Sequence, residues 1–273
     1  MKGRPNNLSV NVKSRPVVLQ LEDVTHFFGN LRAVHNFDLT LRQGELVGLI
    51  GPNGAGKTTV FNLITGVYRA SEGSIRYEDV ELVGLPSYEI IQMGIARTFQ
   101  NIRLFSNLSV LDNVRIAYHP HAGYNMLDAV LRTRRFREKE AEMTERAQEF
   151  LEIFKLDARQ NDIAGSLPYG LQRRLEIARA LAAWPRILIL DEPAAGMNPQ
   201  EIDQLMDLIH FIRERFDLTV LLVEHRMRLV MSICEWLTVM DFGEVIARGL
   251  PDEVRSNPKV VEAYLGREAV VVR

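Results

Sequence analysis

The strongest local constraint in this chain is the run GELVGLIGPNGAGKTTVFNLITG, residues 44–66. Gly44 to Ile50 is an apolar run of strand length that feeds directly into a glycine-rich turn. Thr58 to Thr65 then has helical character and stops at Gly66. The loop between them, Gly51, Pro52, Asn53, Gly54, Ala55, Gly56, Lys57, Thr58 and Thr59, fits the spacing G-x-x-x-x-G-K-[ST]. Glycines in such a loop let successive N–H groups turn inward and wrap phosphate oxygens without Cβ clashes. Lys57 is placed to reach β and γ phosphates, and the Thr58 hydroxyl to ligate Mg²⁺. A plain surface loop that merely starts a helix is the bland alternative; the strand before it and the helix after it argue for phosphate.

A phosphate loop of this kind needs a second strand that ends in an acid. ILILDEP, residues 187–193, supplies one. Asp191 suits Mg²⁺, often through a water, because that ion keeps octahedral oxygen ligands. Glu192 is placed to orient or deprotonate an attacking water. Two solvated acids at a strand end would be the reading if the phosphate loop were absent.

The flanks fill in the fold class. Val17 to Val24 and Ala33 to Leu41 alternate as strands, with THFFGN between them as a turn, and GSIRYEDVEL reads as a hairpin. Ser109 to Ala183 is largely helical, with Met143, Ala147, Phe150, Leu151 and Phe154 on one face. RILIL and LTVLLV are short buried strands around a helix from about Pro199 to Phe216. Strands alternating with helices imply an α/β, mainly parallel, doubly wound sheet, with the helical middle (about 100–181) as an insert.

Bulk properties exclude several classes. A net charge of −2 with 25% charged residues argues against a general nucleic-acid binder. The basic run RTRRFREKE is followed at once by acids and pairs Arg134 with Glu138 at i,i+4, so it reads as a solvated helix. The single cysteine, Cys234, rules out an internal disulfide and fits a buried thiol in a reducing compartment. No apolar run approaches the roughly 20 residues of a membrane helix, so a membrane role would come through partner subunits. Residues 1–16 lack an apolar core of the secretory type and read as a flexible extension, and 267–273 as a tail.

What narrows the choice is the order of the remaining motifs: Gln100 in ARTFQN, the helix start SLPYGLQRRLEIARAL, and His225 in LLVEHRM. Phosphate loop, glutamine, helix start, acidic strand and histidine in this order resemble the ATP-binding cassette (ABC) ATPases over nearly all of residues 17–266. The resemblance implies a RecA-like P-loop NTPase core, an N-terminal antiparallel β subdomain and an inserted α-helical subdomain. It implies ATP and Mg²⁺, with Thr58, Gln100 and Asp191 at the metal, and Lys57, Glu192 and His225 in catalysis. It also implies an aromatic stacked on adenine, for which Phe28 fits best. The plainer alternatives are an ordinary loop amide for Gln100, a structural histidine for His225 and a core or half-buried aromatic for Phe28.

The family's signature usually reads leucine, serine, glycine, glycine, glutamine. Here Leu167, Pro168, Tyr169, Gly170 and Leu171 stand in that place. Pro168 brings no hydroxyl and no N–H, yet proline is tolerated in a helix's first turn. Gly170 still permits close approach, so an anion site at Tyr169 and Gly170 is weakened but present. The helix's apolar stripe is Leu171, Leu175, Ala178 and Leu181, with Arg173, Arg174 and Arg179 expected largely outside. In the family this tip meets the nucleotide of the other subunit in a head-to-tail dimer. The partner implied is a second cassette, a different and shorter homologue or another copy. With Asn198 replacing a usual aspartate, the two composite sites are expected to hydrolyse unequally.

GSLPYGLQRRLEIARAL, DEPAAGMNP and NPKVVEAYLG resemble the longer ATPase subunit of bacterial branched-chain amino acid importers. That implies permease subunits, indirectly a solute-binding protein, and a peripheral location on the cytoplasmic face of the inner membrane. Urea or amide importers and the lipopolysaccharide-extracting ATPase share the same motifs, and a soluble, non-transport ABC ATPase is the rival from another class.

Overall fold

The computed structural model describes residues 14–119 and 123–271. The first elements among the described residues are two strands, β1 (Val17–Phe28) and β2 (Leu31–Arg42), followed by β3 (Leu46–Ile50) and helix α1 (Lys57–Ile64). Then come β4 (Glu72–Tyr77), β5 (Val80–Glu81), α2 (Ser87–Gln92) and β6 (Ile95–Arg97). The helical region holds α3 (Val110–Ala117), α4 (Met126–Leu131), α5 (Arg134–Ile153) and α6 (Tyr169–Leu181). The rest alternates as β7 (Ile187–Asp191), α7 (Pro199–Arg215), β8 (Thr219–Val223), α8 (Met227–Ile233), β9 (Trp236–Asp241) and β10 (Glu244–Gly249). Helices α9 (Pro251–Arg255) and α10 (Pro258–Val271) close it.

Two sheets result. One has the order β2-β1-β4-β5 and is antiparallel throughout. The other has the order β10-β9-β3-β8-β7-β6, parallel from β9 to β6 with β10 antiparallel at its edge. The expected fold class holds: a mainly parallel P-loop core, an N-terminal antiparallel sheet and inserted helices.

The parallel strands are apolar on both faces because both faces are covered. Leu46 and Ile50 of β3, Leu188 and Leu190 of β7, and Val220 and Leu222 of β8 share one core with α5, α6, α7 and α8. Their alternates, Val47 and Leu49, Ile187 and Ile189, Leu221 and Val223, share the other with β1, β2 and α1. The sheet is therefore the wall between the helical side and the β side, and its strand ends carry the chemistry. The α5 stripe read from periodicity packs as expected: Met143, Ala147, Phe150 and Leu151 are buried, and Phe154 just past the helix end joins them. On the opposite face Arg134 and Glu138 form the i,i+4 pair at 2.7 Å.

Two expectations are corrected. THFFGN is not a turn throughout: β1 continues to Phe28, which pairs with Leu31, so only Gly29 and Asn30 turn. The β-branched and aromatic residues there take the strand because β2 offers them partners. Arg173 does not lie outside on α6; it is fully buried, for reasons given below. The span expected as a tail continues α10 as far as Val271, while most of the 1–16 extension falls outside the described residues. Among the described residues no helix is long and apolar enough to cross a membrane.

Candidate active site

The phosphate loop joins β3 to α1 and is pinned by the strands around it. Gly51 has φ 152° and Gly56 φ 102°. A Cβ at Gly51 would sit 2.1 Å from the Met240 carbonyl oxygen, and one at Gly56 would sit 2.7 Å from that of Ala33. Neither position can take a side chain without moving backbone. Lys57, almost fully buried, folds back across the loop, its Nζ donating to the carbonyls of Gly51 (2.7 Å) and Pro52 (2.8 Å). No side chain caps the start of α1, and a helix N-terminus of this kind suits an anion.

The loop forms one wall of an open cavity of about 810 Å³, within the range of small-ligand sites. Residues 51–59 line it together with Phe28, Gln100, Glu192 and His225, which arrive from four other parts of the chain. Phe27 and Phe28 are comparably exposed, but only Phe28 lines the cavity. Its ring is held edge-on by His26 (4.7 Å) and Tyr68 (5.2 Å).

Glu192 follows β7 and has φ 45°, an uncommon conformation for a residue with a side chain. Its N–H donates to the Val223 carbonyl at 2.9 Å, which anchors the strained turn to β8. Gln100 donates from Nε2 to Glu192 Oε2 at 2.9 Å, and His225 Nδ1 stands 3.7 Å from the same oxygen. Glutamine, glutamate and histidine thus converge on one point from three separate loops. Behind them, the fully buried Glu224 accepts from the N–H groups of His225 (3.2 Å), Arg226 (3.3 Å) and Ala194 (2.8 Å). It fixes the histidine loop to the segment after the acidic strand.

Asp191, the last residue of β7, is buried and lies behind the cavity wall rather than on it. Arg97 Nη2 donates to its Oδ2 at 2.7 Å. The same guanidinium donates to Asn62 Oδ1 at 2.7 Å and stacks near the rings of Phe61 and Phe99. Arg97 therefore engages one of the two carboxylate oxygens, Oδ2.

The residues fit Mg²⁺ with a nucleoside triphosphate: a glycine cradle closed to side chains, a lysine across it, a hydroxyl at Thr58 and a carboxylate behind. Among the described residues no three His, Cys, Asp or Glu side chains gather to hold a metal by themselves. The ion here would rest on Thr58, Asp191, phosphate oxygens and water, as Mg²⁺ does with phosphate ligands.

Tyr169 and Gly170 open α6 outside this cavity. No side chain caps that helix start either. Asn198 is the N-cap of α7, accepting from the Glu201 N–H at 3.0 Å while Glu201 Oε2 accepts from the Asn198 N–H at 2.9 Å. Sequence reasoning missed Arg97, Phe242 and Tyr264, the last two of which line the cavity. Arg97 stood three residues before Gln100 with no spacing rule to mark it, and the two aromatics come from distant segments.

Strand order, phosphate loop and inserted helices define an ATP-hydrolysing cassette of the P-loop NTPase class. The chain belongs to the ABC transporter family, whose description matches residues 34–195, and the description "Branched-chain amino acid ATP-binding cassette transporter" matches residues 244–270. The high-affinity branched-chain amino acid transport ATP-binding protein BraF of Pseudomonas aeruginosa is 47% identical over 253 residues, covering 93% of this chain and 99% of BraF. The LivG protein of Escherichia coli, described in the same terms, is 46% identical over 239 residues, covering 88% and 94%. Among solved structures, the ADP conformation of the cassette MJ1267 superposes with a TM-score of 0.80 at 32% identity, covering 92% of this chain and 99% of that one. A dimeric post-hydrolysis cassette, MJ0796 with ADP and phosphate, gives 0.72 at 26% identity, covering 85% and 98%.

Proposed function

We propose that this chain is the ATP-hydrolysing subunit of an importer for branched-chain amino acids, working as a peripheral protein on the cytoplasmic face of the membrane. The observation that carries the reading is the convergence of Gln100, Glu192 and His225 on one point beside the phosphate loop. The cargo is supported by the kinship with BraF and LivG and by the matched C-terminal segment. In this reading residues 17–266 form the cassette and about 100–181 its helical insert.

Chemistry here is positioning and charge stabilisation. Thr58 and Asp191, with Gln100, would hold Mg²⁺, which when bound neutralises charge on the phosphoryl oxygens. Lys57 exchanges its two loop carbonyls for β and γ phosphate oxygens. Glu192 orients the water and takes its proton, held in place by the Gln100 amide. His225 donates to the γ-phosphate end, and Phe28 stacks on the base. Tyr169 and Gly170 serve the nucleotide of a second cassette, a shorter homologue or another copy, in a head-to-tail pair. The dimeric MJ0796 cassette, bound to ADP and phosphate, supports pairing of two cassettes. Permease subunits and, through them, a solute-binding protein complete the assembly.

Glu192→Gln tests the reading. Hydrolysis by the assembled cassettes should fall by about 10²–10⁴ while ATP binding persists and the dimer accumulates with ATP. Unchanged turnover, or no ATP-dependent dimer with any candidate partner, would overturn it.

A further inference from the structure

The α6 helix carries a buried ion pair that the chemistry above does not use. Arg173 and Glu176 are one turn apart, with side chains 0% and 1% exposed, and join at 2.6 Å. A charge pair this deep costs desolvation unless its remaining donors and acceptors are satisfied. Most of them are satisfied by the backbone of the glutamine loop. Arg173 Nη1 donates to the Phe99 carbonyl at 2.6 Å and Nη2 to the Gln100 carbonyl at 2.8 Å. Glu176 Oε1 accepts from the N–H groups of Phe99 (3.3 Å) and Arg103 (3.2 Å). The pair grips both the donors and the acceptors of one loop.

The grip extends to the start of the helix. Arg173 Nη2 also donates to the Tyr169 hydroxyl at 3.2 Å. The Tyr169 ring in turn packs on Gly196, where a Cβ would come within 3.2 Å of it. A continuous path therefore runs from Glu192 to the Gln100 side chain, through the Gln100 carbonyl to Arg173, and on to Tyr169 and Gly196.

We propose that Arg173, braced by Glu176, is a positioning residue that ties the glutamine loop of this chain's own ATP site to the Tyr169 tip. One nitrogen, Nη2, serves both the Gln100 carbonyl and the Tyr169 hydroxyl, so any displacement of the Gln100 backbone would be passed to the helix tip through that guanidinium. The forked donor geometry makes arginine specific here, since a lysine ammonium offers a single point of attachment. The inference rests on the proposed reading that the tip serves the other cassette's nucleotide. It makes occupancy of one site felt at the other through a single side chain.

Hydrogen exchange on the full chain tests it, at concentrations where sedimentation shows a monomer, with and without Mg²⁺ and a non-hydrolysable ATP analogue. In the unaltered chain the amides of both 99–103 and 169–172 should change their exchange on binding. In Arg173→Lys the first segment should still respond, while the response at 169–172 should shrink by about tenfold, the scale of one or two charge-assisted bonds. A merely structural role would lower the melting temperature and leave the response at 169–172 intact. That result overturns the proposal. If Arg173→Lys does not fold, Tyr169→Phe removes only the last link and should blunt the tip response while sparing 99–103. Analogue binding with a silent tip in the unaltered chain sinks this inference alone; failure to bind the analogue at all sinks the functional reading with it.

Discussion

Removing Arg97 should expose how much the acidic strand end depends on one buried cation. In the pair Arg97–Asp191 the side chains are 5% and 4% exposed and meet at 2.7 Å. Arg97→Met keeps much of the stem that packs near Phe61 and Phe99 but strands the Asp191 carboxylate and the Asn62 amide oxygen. Breaking a buried pair by deleting one partner costs about 3–5 kcal/mol, chiefly through the uncompensated charge. In urea unfolding this corresponds to a midpoint lowered by roughly 1 M or more. Asp191→Asn in the Arg97→Met background should restore part of that loss, giving a coupling of about 0.5–3 kcal/mol in a double-mutant cycle. Mg²⁺ with ATP should also return stability to Arg97→Met preferentially, since a divalent ion beside Asp191 replaces the missing charge. A loss below about 1 kcal/mol, or strict additivity in the cycle, would refute the argument that Arg97 neutralises Asp191.

Three further outcomes follow from local features. Asn198→Ala removes a reciprocal cap from α7 and should cost about 1 kcal/mol, read as a lower thermal midpoint with the fold unchanged by circular dichroism. Cys234 is buried and burial pushes its thiol well above the ordinary value, so alkylation at pH 8 should be slow and should follow global unfolding; rapid labelling of the native chain would contradict this. The Tyr124 phenol is pushed up to about 12 by burial and by its bond to Glu140, and Tyr264 to about 12 by burial. Between pH 10 and 12 the unfolded chain releases protons that these phenols keep when folded, so stability present below pH 10 should fall across that window; a flat alkaline limb in pH-dependent urea titrations would contradict it.

Much of the site could be read from the sequence because its parts are local. The loop at 51–59 needs only its own glycines, one lysine, and a strand and helix on either side. Asp191 and Glu192 are marked by the apolar run they end. Gln100 and His225 were recognisable by order along the chain, since each sits just past a strand of the parallel sheet. Phe28 was singled out over Phe27 by the resemblance alone, since the segment read as a turn; that β1 runs on through Phe28, with one ring of the two lining the cavity, is visible only in the structure.

Arg173 marks where the sequence stopped being informative. Beside Arg174 and Arg179 on a polar-looking face it carries no sign of burial, because the groups that bury it are backbone carbonyls 73 and 74 residues away. Arg97 is alike: its carboxylate partner stands 94 residues further on. Patterns of side chains encode which face of an element is apolar and which loop can cradle phosphate. They do not encode which main-chain oxygens another element brings to that face. Sequence alone therefore determined the fold class, the phosphate loop and the acids, while only the tertiary structure decided which cations are buried. Desolvating an arginine is tolerated only where the packed neighbours replace most of the bonds it loses to water, as the acceptors around both Nη atoms do for Arg97 and Arg173.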